Sequence, residues 1–205
     1  EPLSEATSDL VDAVLEEAGR FSREVVAPLN RVGDAEGSRL ENGVVVTAPG
    51  FKEAYRQYTE GGWQGMAFDP EYGGQGLPYT VATAVEEMIG SACMAFSLCP
   101  MLTRGAIELI SVHGTADQKE AYLGKLIAGE WSGTMNLTEP QAGSDVGAVR
   151  SKAVPEGDHF RIKGTKIFIT YGEHDMAENI VHLVLARLPE APPGTRGISC
   201  FIVPK

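Results

Sequence analysis

The chain is poor in cysteine, poor in positive charge and free of long apolar runs. There are three cysteines in 205 residues. An odd, sparse set is not the framework of a disulfide-stapled secreted scaffold. Cys93 and Cys99 lie in an apolar stretch and Cys200 in a strand-like run. All three read as buried free thiols of a reducing compartment. Lys and Arg number 17 against 28 Asp and Glu, giving a net charge of −11. That balance excludes a nucleic-acid backbone as the main partner, because phosphate binding needs a basic surface. No uninterrupted apolar run reaches bilayer length. Glu1-Pro2-Leu3-Ser4-Glu5 lacks the basic and apolar regions of a leader. These features predict a cytoplasmic protein without a membrane partner. Internal repeats and low-complexity segments are missing too.

What remains is an ordinary globular composition, 43% hydrophobic and 22% charged. It is unevenly arranged. The whole net charge of −11 falls in residues 1–130, and residues 131–205 are neutral. The hydrophobic period changes at the same place. Leu10, Val11, Val14, Leu15, Ala18, Phe21, Val25 and Val26 recur at helical spacing, until Pro28 ends or kinks the helix. Further helices are predicted over 49–61, 79–92, 96–112 and 116–128. The last is opened by Thr115 and Gln118 as a capping box. Asp69 to Pro78 reads as a loop, rich in Gly and Pro.

After residue 131 the period falls to two. Strands are predicted over 149–154, 159–163, 165–170, 180–187 and 198–203, with one more running into Thr138. A turn is predicted at Pro155-Glu156-Gly157-Asp158. The fold class is therefore α+β: an all-α helical domain over 1–130, then a β domain over 131–205. The β part looks incomplete, because nothing after the last strand covers its edge.

Two segments carry chemistry. Met135 to Asp145 takes a strand into a Thr, then a Pro and Gly turn, then Ser-Asp. Such a loop can present N–H groups and hydroxyls to a diphosphate or to the edge of a planar ring. For the loop taken alone, a plain strand-to-loop transition is the simpler reading. Ser144 is not an elbow nucleophile, because Ala142 stands where that pattern needs Gly. In the second segment, Phe168 and Thr170 would share one strand face, so a planar cofactor could stack on the ring. An apolar core strand is the simpler reading of a lone Phe. His113, His159, His174 and His182 lack metal-ligand spacing, so no metal is expected. The Gly73–Gly76 run reads as a flexible turn, since no Gly-Lys-Ser/Thr follows. Met66, Met88, Met94 and Met101 read as core filler.

Taken together, these segments resemble the acyl-CoA dehydrogenase flavoprotein family. Thr138 to Asp145 matches its Thr-Glu-Pro-x-Ala-Gly-Ser-Asp motif. Lys166 to Thr170 matches its Lys-x-(Trp/Phe)-Ile-Thr segment, and Tyr72-Gly73-Gly74-Gln75-Gly76 its Gly-Gly-x-Gly loop. Glu173-His174-Asp175-Met176, with Met135 to Thr138, resembles the branch that includes methylthiopropionyl-CoA dehydrogenase. The resemblance implies a partial middle β-barrel domain of the family type, with a C-terminal helical domain lying outside this chain. It implies FAD as cofactor, with Met135, Leu137, Thr138, Gly143, Ser144, Phe168, Ile169 and Thr170 in contact with it. Leu137 and Thr138 would hold the pyrimidine edge. Phe168 would lie on the isoalloxazine ring and Thr170 near N5. Ser144 would also reach the substrate.

The implied reaction removes a proton from the carbon α to a thioester and passes hydride from the β carbon to flavin N5. In the family the base is a Glu of the C-terminal domain, so no catalytic residue is assigned in this chain. The implied partners are an acyl-CoA, an electron-transferring flavoprotein as acceptor and further copies of the protein. Small residues near Met88 to Met101, among them Ala92, Ala95 and Ser97, would bear on the acyl chain. Other readings left open are a DNA-alkylation-response relative, an acyl-CoA oxidase using oxygen, and a non-catalytic interaction module.

Overall fold

The computed structural model describes residues 6–205. Helix α1 covers Ser8–Phe21 and α2 covers Ala27–Glu36, with a π-helical turn, Ser22–Val26, between them. Pro28 falls in the first turn of α2. The π-helical turn runs directly into it, so the chain stays helical through the proline and does not end there. Helices α3 (Phe51–Glu60), α4 (Tyr79–Ala92), α5 (Met94–His113) and α6 (Ala116–Ala128) follow. The Thr115 hydroxyl accepts the Gln118 N–H, and the Gln118 side chain accepts the Thr115 N–H, which completes the expected capping box.

The helical part is not purely α. Strands β1 (Arg39–Glu41) and β2 (Val44–Val46) pair antiparallel around Asn42-Gly43, both at positive φ. Asn-Gly is the favoured pair for a two-residue hairpin turn, so the signal was in the sequence.

Beyond α6 the elements are β3 (Trp131–Asn136), β4 (Lys152–Glu156), β5 (His159–Lys163), β6 (Asn179–Ala186) and β7 (Ser199–Pro204). Strand β6 is central, parallel to β3 and antiparallel to β7. The β4–β5 hairpin is separate. It joins the end of β6 through reciprocal bonds, Ala153 N–H to Arg187 O and Arg187 N–H to Ser151 O, both 2.8 Å. The described strands form an open arrangement and not a closed barrel.

The stretch 165–170 is not a strand. Phe168 has φ +56° and Tyr171 φ +51°, conformations that no pleated ladder accommodates. The strand predicted from 149 begins later, at Lys152.

Helix α5 joins the two parts. Gly133 lets β3 approach it so closely that a Cβ there would collide with Ala106 Cβ. The Gly133 N–H donates to the Thr103 hydroxyl at 3.0 Å. Ile107 and Ile110 of α5, Leu123 and Leu126 of α6, and Val181 and Leu183 of β6 form one buried cluster. By length and mean hydropathy, 1.3, α5 is apolar enough to cross a bilayer. Its apolar face is occupied by this packing.

Candidate functional site

The two motif segments meet, although neither is a regular element. Strand β3 delivers Leu137 and Thr138 at its end. The Ile167 N–H donates to Thr138 O at 3.0 Å. Lys166 Nζ donates to Leu137 O at 3.0 Å and to Glu139 Oε1 at 2.9 Å. Lys166 therefore staples one motif to the other. Sequence reasoning used it only as a motif letter. A charge directly before the apolar run Ile-Phe-Ile was the available signal.

Glu139 is the hub of the first loop. It is 4% exposed. Besides Lys166 it accepts Gln141 Nε2 at 2.6 Å, the Arg150 N–H at 2.7 Å and the Ser151 N–H at 3.0 Å. Burial alone would push this carboxyl up. The hydrogen bonds from Lys166, Ser151 and Arg150 outweigh it and hold the pKa at about 2. Arg150 and Ser151 thus spend their N–H groups on Glu139, and β4 begins directly after them, at Lys152. A two-residue turn over Pro140-Gln141 is closed by reciprocal bonds between Glu139 and Ala142, at 2.9 and 3.0 Å. Past it, Gly143 and Ser144 are exposed, and a Cβ added at Gly143 would meet open space.

Phe168 stands out from the surface at 90% exposure, with Ile169 half-buried and Thr170 exposed behind it. A ring held out in water at positive φ is not the core residue of the simpler reading. It fits a planar partner laid against it. The predicted pairing of Phe168 and Thr170 by strand alternation fails with the strand. Met135 is separated from this group, since its half-buried side chain packs on the α5–α6 cluster.

The segment Phe168–Glu178 is held by groups that sequence reasoning did not foresee. The Tyr171 hydroxyl donates to Ala95 O at 2.6 Å. Asp175 accepts the Thr47 N–H at 3.0 Å and the Thr47 hydroxyl at 2.7 Å. His174 Nδ1 accepts the Met176 N–H at 3.1 Å. Its Nε2 therefore carries the proton shared with Ser132 Oγ at 2.8 Å. Burial pulls the His174 pKa down to about 4, against the opposing charges of Glu173 and Asp175. On the same face Thr134 bonds both Asn136 Oδ1, at 2.6 Å, and His182 Nδ1, at 2.7 Å.

A cavity of about 390 Å³ opens between α4 and α5, lined among others by Thr83, Glu86, Gly90, Met94, Ser97 and Met101. Met94 and Met101 are 60% and 50% exposed, so they are not the core filler predicted. Ala92 and Met88 face a different groove, beside Ser22 and Arg23. From α5, the buried Arg104 pairs with Glu86 of α4 and lies over the Tyr79 ring. Two further expectations need correction. Cys200 is exposed, whereas Cys93 and Cys99 are buried, because Cys200 lines an open groove with Leu109, His113 and Phe160. The Gly73–Gly76 turn is tightly bonded, through Gly74 N–H to Asp69 O and Gly76 N–H to Phe68 O. A Cβ at Gly74 would collide with the Phe68 carbonyl.

Comparison with known proteins agrees with this architecture. Residues 8–130 match the family description "Acyl-CoA dehydrogenase, N-terminal domain", and residues 134–205 match "Acyl-CoA dehydrogenase, middle domain". A 3-methylmercaptopropionyl-CoA dehydrogenase of Ruegeria pomeroyi is 58% identical over 98% of this chain and 34% of its own length. A butyryl-CoA dehydrogenase of Syntrophomonas wolfei is 41% identical over 96% of the chain and 33% of its own length. Among solved structures, butyryl-CoA dehydrogenase of Megasphaera elsdenii superposes with a TM-score of 0.78 at 25% identity, over 96% of this chain and 49% of its own. An electron transferring flavoprotein structure from Acidaminococcus fermentans gives 0.79 at 28%, over 97% and 48%. The chain thus spans about a third of the curated relatives it matches. With both family descriptions matched in order along a helical part and a β part, this chain belongs to the acyl-CoA dehydrogenase family.

Proposed function

We propose that this chain is the front portion of an FAD-dependent acyl-CoA dehydrogenase, divided near residue 130 into a helical domain and an incomplete middle domain. The observation that carries the reading is the junction made by Lys166 and Ile167. It brings Leu137 and Thr138 beside a ring, Phe168, that is 90% exposed.

Leu137 and Thr138 would hold the pyrimidine edge of FAD, and Phe168 would cover a face of its ring system. Ile169 and Thr170 complete that side. Gly143 and Ser144 offer an exposed loop to the pyrophosphate and to the substrate, and Met135 backs the strand from the α5–α6 side. FAD, when bound, supplies the acceptor for the hydride that leaves the β carbon.

The proton leaves the α carbon for a base that lies outside this chain. Glu139 cannot serve, because four donors already engage its oxygens and a pKa of about 2 makes it too weak a proton acceptor. The acyl group is assigned to the cavity between α4 and α5. The likeness to the Ruegeria enzyme puts a short thioester of the 3-methylmercaptopropionyl type first in a substrate panel. Electrons would pass to an electron-transferring flavoprotein, in a homo-oligomer working in the cytoplasm.

The test is purification of the full-length protein followed by titration with FAD. A yellow protein that oxidises short acyl-CoAs without forming peroxide supports the reading. A colourless protein that takes up no FAD overturns it. The 205-residue chain alone is expected to bind FAD weakly and to turn over no substrate.

A further inference from the structure

The segment Phe168–Glu178 crosses from the flavin-facing residues to the helical part, and one bond in it reaches Ala95, in the turn of α5 whose Met94 and Ser97 line the acyl cavity. We propose that Tyr171 is a positioning residue. It ties the segment bearing Phe168–Thr170 to the first turns of α5, and so sets the cavity wall relative to the cofactor. The inference rests on the FAD reading above. The tie itself does not.

The first turns of α5 are under-held from within. Pro100 lies inside the helix and has no N–H, so the Phe96 carbonyl loses its i+4 donor. Ser97 spends its hydroxyl on Met94 O, at 3.0 Å. The Tyr171 hydroxyl supplies a bond from outside, to Ala95 O, across 76 positions of sequence. The same turns contribute Met94, Ser97, Pro100 and Met101 to the cavity wall. A loose turn here is therefore a loose wall.

The other end of the tie is rigid. Tyr171 is held at φ +51°, with its ring edge-on to His174 at 5.5 Å and packed on the helical core. Three residues further on, His174 is fixed to Ser132. Asp175 is fixed to Thr47, and Met176 is buried in the helical core cluster. A segment anchored on this side transmits position rather than absorbing it. Phe168 lies only three residues before Tyr171, so the wall and the flavin-facing ring share one short rigid link.

The test uses full-length protein carrying Tyr171→Phe, which keeps the ring and removes only the hydroxyl. Hydrogen exchange is read by mass spectrometry without FAD. Losing this one bond predicts up to about fivefold faster exchange in the peptide covering residues 94–101, with exchange elsewhere unchanged. FAD affinity should stay within about twofold of wild type, because no flavin contact is removed. Across straight-chain acyl-CoAs, KM should rise about fivefold for the shortest, with kcat held and the longest chains least affected. A uniform fall in kcat at constant KM, or a loss of FAD affinity, would assign Tyr171 to the cofactor and overturn the proposal. Unchanged exchange in a protein that does take up FAD overturns the positioning role alone. A wild-type protein that takes up no FAD overturns the functional reading beneath it.

Discussion

The two motif segments are both irregular, yet they are ordered by different means. The Thr138–Asp145 loop is organised from inside the β part, around one buried carboxylate that gathers Lys166, Gln141 and two backbone N–H groups. The Phe168–Glu178 segment is organised from outside. Its bonds run to Ala95, Thr47 and Ser132, two of which belong to the helical part. The first has one hub and the second has several small ties. A hub concentrates free energy in a single residue, while distributed ties spread it.

That difference can be broken at its strongest point first. Glu139→Ala leaves two N–H groups without their acceptor in a buried site, and Lys166 Nζ without its counter-charge and with only the Leu137 carbonyl. It should cost about 4 kcal/mol, read as a drop in the urea midpoint. A loss below about 1 kcal/mol would show that the loop does not depend on its hub.

The next test separates the segments by pH. Burial lowers the His174 pKa from 6.5 to about 4. The unfolded state therefore binds the proton more readily between those values. Stability is full above pH 6.5 and falls as pH drops toward 4, by on the order of 3 kcal/mol. Glu139 is lowered from 4.5 to about 2. Its contribution is present above pH 4.5 and is lost only as pH falls toward 2. Thermal midpoints of His174→Gln should lack the higher window and keep the lower one. A pH profile identical to wild type would remove His174 from the account.

The smallest effect belongs to a single tie. Asp175→Ala frees the Thr47 N–H and hydroxyl at a half-exposed site, for about 2 kcal/mol. Asp175→Asn retains an acceptor and should recover most of it. Equal losses in both variants would mean that the charge matters and not the bonds.

Much of the fold was legible in the sequence because local rules agreed with one another. Helices α4 and α6 have the predicted bounds, and strand β5 does too. Pro78 stands just before α4, the Thr115–Gln118 box opens α6, and Gly157-Asp158 turns the hairpin before β5. The run Thr165–Thr170 misled for the opposite reason. Its Ile and Phe content has strand propensity, but propensity describes fit to a pleated surface with neighbours. Here the neighbour is a loop end, and it offers one backbone acceptor, Thr138 O. The site itself was half legible. Motif letters pointed to Thr138 and Phe168, while Lys166, His174 and Tyr171 act through partners 29, 42 and 76 positions away. No periodicity encodes such distances.

The close approach of α5 to Gly133 has a practical consequence for anyone dissecting the gene. Helices stop at Ala128 and strands start at Trp131, which looks like a natural place to cut. A cut directly after Ala128 would strip β3 from the Thr103 hydroxyl and leave Tyr55 without the Gly129 carbonyl it bonds at 3.0 Å. It would also pull Met176 out of the helical core. The apparent seam is a shared wall, and expression libraries of this fold should be trimmed elsewhere.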